Sequence, residues 1–140
     1  SALGWASGAL YGLVGITPAA GFVAPVPALV IGTLTAVVCY FSVTKLKIML
    51  KYDDSMDAFG IHGIGGMVGA VLTGMFVSTT ISGASVNWFA QIEGIGITVL
   101  YSGIVSLVLL KIIDKTMGLR VDADEERQGL DISSHGERIE

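Results

Sequence analysis

The chain has 140 residues, of which 52% are apolar and only 14% charged, with a mean hydropathy of +0.73. That composition excludes an ordinary water-soluble domain. The formal charge of −4 comes from residues 118–140, where seven acids face three bases while the remainder balances at five and five, so no basic surface for nucleic acid is present.

No charge precedes Lys45 and none lies between Asp57 and Glu93. Long uncharged blocks beside a polar tail point to an all-α fold, a polytopic bundle of transmembrane helices. An apolar helix needs roughly 20 residues to cross a hydrocarbon core about 30 Å thick, so the uncharged start of the chain holds two spans. They part at Thr17-Pro18-Ala19-Ala20-Gly21, and Pro25 and Pro27 loosen the entry to the second. Proline removes a donor there and pushes the residue before it out of the helical region. The predicted spans are 1–17 and 26–43. The opening Ser-Ala-Leu-Gly-Trp has no initiator Met, basic n-region or cleavage-site pattern, and reads as a cut through a longer chain rather than a signal peptide.

Thr44–Ser55 carries Lys45, Lys47, Lys51, Asp53 and Asp54 and is expected as an aqueous loop. Span three is predicted over 56–77, followed by a Ser/Thr/Gly loop at Ser78–Ser85 on the opposite side. Span four is predicted over 88–117, long enough to tilt. Residues 1–117 thus form about four spans, and 118–140 a polar tail.

Lys45, Lys47 and Lys51 lie between spans two and three, and Lys111, Lys115 and Arg120 end span four, while the other two loops have no basic residue. Four spans place both basic regions on one side, which the positive-inside rule assigns to the cytoplasm together with the C-terminal tail. Trp88 and Phe89 then mark the outer interface and Tyr52 the inner one. Gly4, Gly8 and Gly12 repeat every four residues in span one. Gly65, Gly69, Thr73 and Gly66, Ala70, Gly74 do so in span three. Such stripes let helix backbones approach closely in lipid, which makes these two spans packed interior helices.

HExxH, GxxxxGK[ST], GxGxxG, GxSxG and EF-hand patterns are missing, so the chain is read as no enzyme. Cys39 is the single cysteine and His62 the one histidine within a span. No metal site or cofactor is expected, haem included. His62, within Phe59-Gly60-Ile61-His62-Gly63-Ile64-Gly65-Gly66, is the candidate of most interest. An intramembrane imidazole must be satisfied or solvated, and its ordinary pKa suits proton exchange with a small substrate. The alternative is a packing histidine bonded to a backbone carbonyl. The glycines around it are expected to clear room beside the ring. Asp53, Asp54, Ser55 and Asp57 suit the capping of span three, whose N-terminus offers unpaired N–H groups. Asp57 also suits a cation-attracting vestibule, and Glu93 is expected to cap span four.

Three separated motifs then stand in order: Gly12-Leu13-Val14-Gly15-Ile16-Thr17-Pro18-Ala19-Ala20-Gly21-Phe22-Val23; Asp53-Asp54 with Asp57-Ala58-Phe59-Gly60-Ile61-His62-Gly63-Ile64-Gly65-Gly66; and Gly118-Leu119-Arg120-Val121 with Gly129-Leu130-Asp131 and His135-Gly136-Glu137. Together they resemble the ammonium transporter (Amt/Mep/Rh) family, most closely its Amt branch. The resemblance implies the C-terminal part of an eleven-helix protein with its N-terminus outside and its C-terminus cytoplasmic. Such proteins are homotrimers in the plasma or inner membrane, embedded in the lipid bilayer, and each protomer has a narrow apolar pore. Two hydrogen-bonded histidines line that pore, and His62 matches the second. The first histidine, the outer aromatic and serine recruitment site and the phenylalanine gate belong to earlier spans that this sequence lacks.

A pore of that kind selects ammonium through cation–π contacts and hydrogen bonds. It then strips a proton, because a bare cation is costly in an apolar conduit, and passes ammonia by the imidazoles. The resemblance gives Asp57 a place at the inner vestibule and Ser7 and Thr17 a place on the pore-facing wall. It makes Gly129, Leu130, Asp131, His135 and Gly136 part of a regulatory tail. In the family that tail packs on the cytoplasmic face, contacts a neighbouring protomer and often receives P-II signalling proteins. By composition alone the tail is a solvated extension. It ends Arg138-Ile139-Glu140 where many relatives have an aromatic ending, and Ser133 stands where some carry a phosphorylatable residue. Rival readings are an ammonium sensor of the same fold signalling through its tail, a purely structural membrane module, and an Rh-type channel for neutral ammonia.

The topology is directly testable in the full-length protein. Single cysteines at Lys51 and Lys115 should react with an impermeant maleimide from the cytoplasmic side, and one at Thr80 from the outside. Labelling of Lys51→Cys and Lys115→Cys from opposite sides would refute the four-span count.

Overall fold

The structure, a computed structural model, describes residues 2–137. The first residue of predicted span one and the tail's last three residues, Arg138-Ile139-Glu140, lie outside the described residues. The chain divides into two compact units, residues 1–97 and 98–140. Among the described residues all regular structure is helical.

Helix α1, Ala2–Ile16, ends in a tight turn at Thr17–Ala19 containing Pro18. Helix α2 runs Pro25–Leu50. Pro25 sits in its first turn, where the missing N–H has no intrahelical partner to lose. The expectation of a loop from Thr44 onward is corrected here, because α2 stays helical through Ser42–Leu46 to Leu50. Its lysines permit this because long stems carry their amines to partners away from the backbone. Lys45 places its ammonium 5.1 Å from the centroid of the Phe41 ring, and Lys47 reaches Asp57. Lys51, at φ 53°, closes the helix in the left-handed conformation.

Helix α3 spans Phe59–Phe76, and a single turn, α4, covers Thr79–Ser82 within the predicted Ser/Thr/Gly loop. The Ser78 amide donates to the Phe22 carbonyl at 2.7 Å, joining the loops that follow α1 and α3. Helix α5 covers Trp88–Thr116. Asn87 begins it by accepting from the Ala90 amide at 3.1 Å, so Asn87 fills the capping role expected of Glu93. By length and composition α2, α3 and α5 can each cross a membrane, and α1, with 15 described residues, is shorter.

Helices α1, α2 and α3 pack on one another around Tyr11, Cys39 and Ile61. Ile31, Thr35 and Cys39 form the buried row of α2, and Gly65, Gly69 and Thr73 that of α3. A Cβ on Gly69 would overlap the Gly15 carbonyl oxygen, and one on Gly15 would overlap the Thr35 side chain. The α1–α2 crossing sits at Gly12, where a Cβ would lie 3.4 Å from the Gly32 oxygen. Span three therefore packs through its glycines as expected. On α1, however, the closest contact is at Gly15, one turn past the Gly4-Gly8-Gly12 stripe, and a Cβ on Gly8 would meet nothing within 4 Å. The start of α5 joins this unit through Trp88, which packs over Gly74, and through Gln91, whose amide donates to the Ala70 carbonyl.

In the second unit, the part of α5 from Thr98 onward leads to two short helices, α6 (Ala123–Gln128) and α7 (Leu130–His135). Arg120 grips the Glu126 carboxylate with two bonds, Nε to Oε2 at 3.1 Å and Nη2 to Oε1 at 2.6 Å. Gly129, at φ 92°, breaks α6 from α7. Gly136, at φ 67°, closes α7 with amide bonds from Gly136 to Ile132 and from Glu137 to Asp131. The tail is thus folded locally where composition alone implied an extended chain.

The glycine contacts make a contrast that stability measurements can read. Gly15→Ala and Gly69→Ala should each destabilise the full-length protein by about 1–3 kcal/mol, seen as lower melting temperatures in detergent. Thr35→Gly should recover part of the Gly15→Ala loss, because the overlap there is with a side chain. It should recover none of the Gly69→Ala loss, where the obstacle is backbone. Purely additive effects at Gly15 and Thr35 would contradict this packing.

Candidate functional site

His62 lies in the first turns of α3, Phe59–Ile64, where backbone hydrogen bonds run from i+5 to i. Such widened turns are rare and concentrate at functional positions. Here the widening turns Gly60 and Ile61 into the core and leaves His62 exposed. Among the described residues its imidazole has no hydrogen-bond partner.

Of the glycines expected to clear space beside the imidazole, Gly66 has nothing within 4 Å of where a Cβ would stand, whereas Gly60, Gly63 and Gly65 lie against close neighbours. A Cβ on Gly60 would lie 2.8 Å from Val43 Cγ1 and 3.1 Å from Ser42 Oγ; one on Gly65 would lie 2.8 Å from Cys39 Sγ. A Cβ on Gly63 would lie 3.0 Å from the Phe59 ring. Two of these glycines admit α2 and the third admits Phe59, and together they fix the widened turn against its neighbours. The Cys39 thiol reaches the Ile61 carbonyl at 3.8 Å, a weak bond immediately before His62. Tyr52 braces the same turn, its ring edge-on to Phe59 at 5.6 Å between centroids. That contact makes Tyr52 part of the packing of this unit.

Of the aspartates before α3, Asp54 caps the helix. Its Oδ1 accepts from the Ala58 amide at 2.9 Å and its Oδ2 from the Phe59 amide at 2.8 Å. Asp57 adopts φ 55°, an uncommon conformation for a residue with a Cβ. Its carbonyl accepts from the Ile61 amide at 2.9 Å and its carboxylate pairs with Lys47 Nζ at 2.6 Å. Lys47 also donates to the Asp54 carbonyl. The sequence pattern gave no sign of Lys47, which lies ten residues from Asp57 in what reads as a loop.

The remaining candidates lie apart from this cluster. Ser7 lines an apolar groove between α1 and α2 with Gly4, Gly8, Gly32, Tyr40 and Thr44, and His62 is not among the groove's lining residues. Thr17 donates its hydroxyl to the Leu13 carbonyl at 2.9 Å. In the tail, Gly129, Leu130, Asp131, His135 and Gly136 belong to α7 and its two ends, and Ser133 donates to the Gly129 carbonyl at 3.2 Å. An imidazole carries one nitrogen that can donate and one that can accept a hydrogen bond, so the exposed His62 is the group of this cluster with the chemistry that proton exchange would need.

The sequence profile of the Ammonium Transporter Family matches residues 1–139. The chain belongs to that family. It is 43% identical to an ammonium transporter of Bacillus subtilis (strain 168), over 97% of this chain and 36% of that protein. It is 42% identical to ammonium transporter Amt1 of Archaeoglobus fulgidus, over 96% of this chain and 36% of that protein. The crystal structure of Candida albicans Mep2 superposes with a TM-score of 0.76 at 33% identity, covering 89% of this chain and 30% of that one. The chain therefore spans about a third of the length of the curated relatives it matches. This family member is a multi-pass, all-helical membrane protein.

The Asp54 cap carries a measurable share of the stability of α3. Asp54→Ala removes both acceptors from the Ala58 and Phe59 amides and should cost about 0.5–2 kcal/mol, while Asp54→Asn should retain most of that. Equal melting temperatures for wild type and Asp54→Ala in the full-length protein would refute the capping role.

Proposed function

We propose that this chain is the C-terminal part of an ammonium transporter in the cell membrane, with His62 on the conduction path. The observation that carries the reading is an exposed imidazole on a widened turn of an apolar, membrane-length helix, in a chain matched by the family profile over residues 1–139. Its relatives in Bacillus subtilis and Aquifex aeolicus are named ammonium transporters. On this reading ammonium loses its proton before entering the apolar path, because carrying a bare cation through it is costly. Ammonia then passes His62 and a second imidazole supplied by a part of the protein beyond this sequence. The imidazoles relay the proton separately by alternating donor and acceptor roles. The working unit is a homotrimer, with the tail facing the cytoplasm as the regulatory segment and a P-II protein as its partner.

The test is ammonium-evoked current and uptake in liposomes containing the full-length protein, compared with His62→Ala at matched incorporation. Wild type should carry ammonium, and the substitution should abolish the current or change the charge carried per ammonium. Flux without current would favour a neutral gas channel. No flux from the wild type would favour a sensor, and an unaltered His62→Ala protein would make His62 a packing residue.

A further inference from the structure

We infer that Lys47 is a positioning residue that sets the direction in which His62 faces; the inference rests on the conducting role proposed for His62. Three observations converge on it. The first is backbone conformation: Asp57 holds φ 55°, in the left-handed region that residues with a Cβ enter only uncommonly. The second is what imposes it. The Lys47 ammonium bonds the Asp57 carboxylate at 2.6 Å and the Asp54 carbonyl as well, so one cation closes both ends of the turn. With 27% and 33% of the two side chains exposed, this pair is only partly screened by water.

The third observation is the route from that turn to the imidazole. The Asp57 carbonyl accepts the Ile61 amide, which fixes the first rung of α3 one residue before His62. From there the widened turn Phe59–Ile64 sets which residues face inward. A change in the Asp57 backbone alters that phase, and a one-residue change in phase swings a helical side chain by about 100°.

The sequence of α2 explains how a lysine comes to be there. Its buried positions Ile31, Thr35, Cys39 and Ser42 follow the α-helical repeat. Lys47 comes five residues after Ser42, a spacing that an α-helix of 3.6 residues per turn would direct away from that row. Ser42–Leu46 is itself a widened turn, in which the Lys47 amide bonds back to the Ser42 carbonyl over five residues. The extra residue taken up in that turn returns Lys47 to the side facing α3. The two widened turns, one on each helix, meet where Val43 and Ser42 press on Gly60. Together they bring the cation of α2 to the left-handed aspartate of α3.

The test uses the full-length protein with Lys47→Met, Lys47→Arg and Asp57→Asn, each checked for an unchanged melting temperature. The first readout needs no transport: the rate at which diethyl pyrocarbonate modifies His62, followed by mass spectrometry. Lys47→Met and Asp57→Asn should shift that rate from the wild-type value, and Lys47→Arg, which keeps the charge and the donors, should restore it. The second readout is liposome current. Lys47→Met should lower the maximum current roughly 10-fold, as expected for a misplaced reacting group, while leaving the half-saturating ammonium concentration unchanged. An unaltered His62 modification rate in well-folded Lys47→Met and Asp57→Asn would overturn the inference. If the wild type carries no current, the conducting role fails while the modification rates still decide whether Lys47 orients His62. If Lys47→Met fails to fold, Asp57→Asn decides, since it removes the charge that Lys47 pairs with while keeping the size of the side chain.

Discussion

The arrangement depends on a backbone-to-backbone contact between α1 and α3, where Gly69 lies so close to the Gly15 carbonyl that no Cβ fits. In hydrocarbon the hydrophobic effect does not draw helices together, because lipid tails are as apolar as leucine. Association must come from dense van der Waals contact and from hydrogen bonds. Small residues at one point of closest approach supply that density. With α1 and α3 this near, Thr35 of α2 fits against Gly15 and Cys39 against Gly65. The three helices form one packed set with few large buried side chains; Ile31, Thr35 and Cys39 are the largest that are fully buried.

The same scarcity of water explains the chemistry around the widened turns. A turn closed over five residues displaces a backbone carbonyl from its usual partner, and a displaced carbonyl in lipid finds no water. The Ile61 carbonyl still accepts from the Gly65 amide, and the Cys39 thiol adds a second, weak contact to it. At the end of α3 where water becomes available, the unpaired amides of the first turn are met instead by the charged carboxylate of Asp54.

Much of this was legible in the sequence. The apolar blocks gave the helical membrane class, Pro18 and Pro25 marked where α1 ends and α2 begins, and the four-residue rhythm of Gly65, Gly69 and Thr73 marked the packed face of α3. The identity of the capping aspartate was not legible, because Asp53, Asp54 and Asp57 are equivalent until the backbone is placed. The continuation of α2 to Leu50 was hidden because a charge count treats lysine as a point, whereas its long stem lets the amine leave a helix whose backbone stays apolar in its surroundings. The widened turns were invisible for a related reason. Periodicity assumes a constant 3.6 residues per turn, so an inserted residue at Ser42–Leu46 reads as the end of the pattern rather than as a change in its phase. His62 stood out by residue type, whereas Lys47 required the fold.

The pairing of Lys47 with Asp57 also changes what a negative charge at this position does. An unpaired carboxylate at a helix N-terminus would project a field toward any cation nearby. With an ammonium 2.6 Å away, the two charges form a short dipole whose field falls off faster than that of either alone. Attraction of a cation from solution is then weaker than for a lone carboxylate, and the pair also anchors the left-handed turn at Asp57. A capped, ion-paired entry into α3 is therefore suited to keeping an imidazole in a fixed direction, which is what the conducting role proposed for His62 would require.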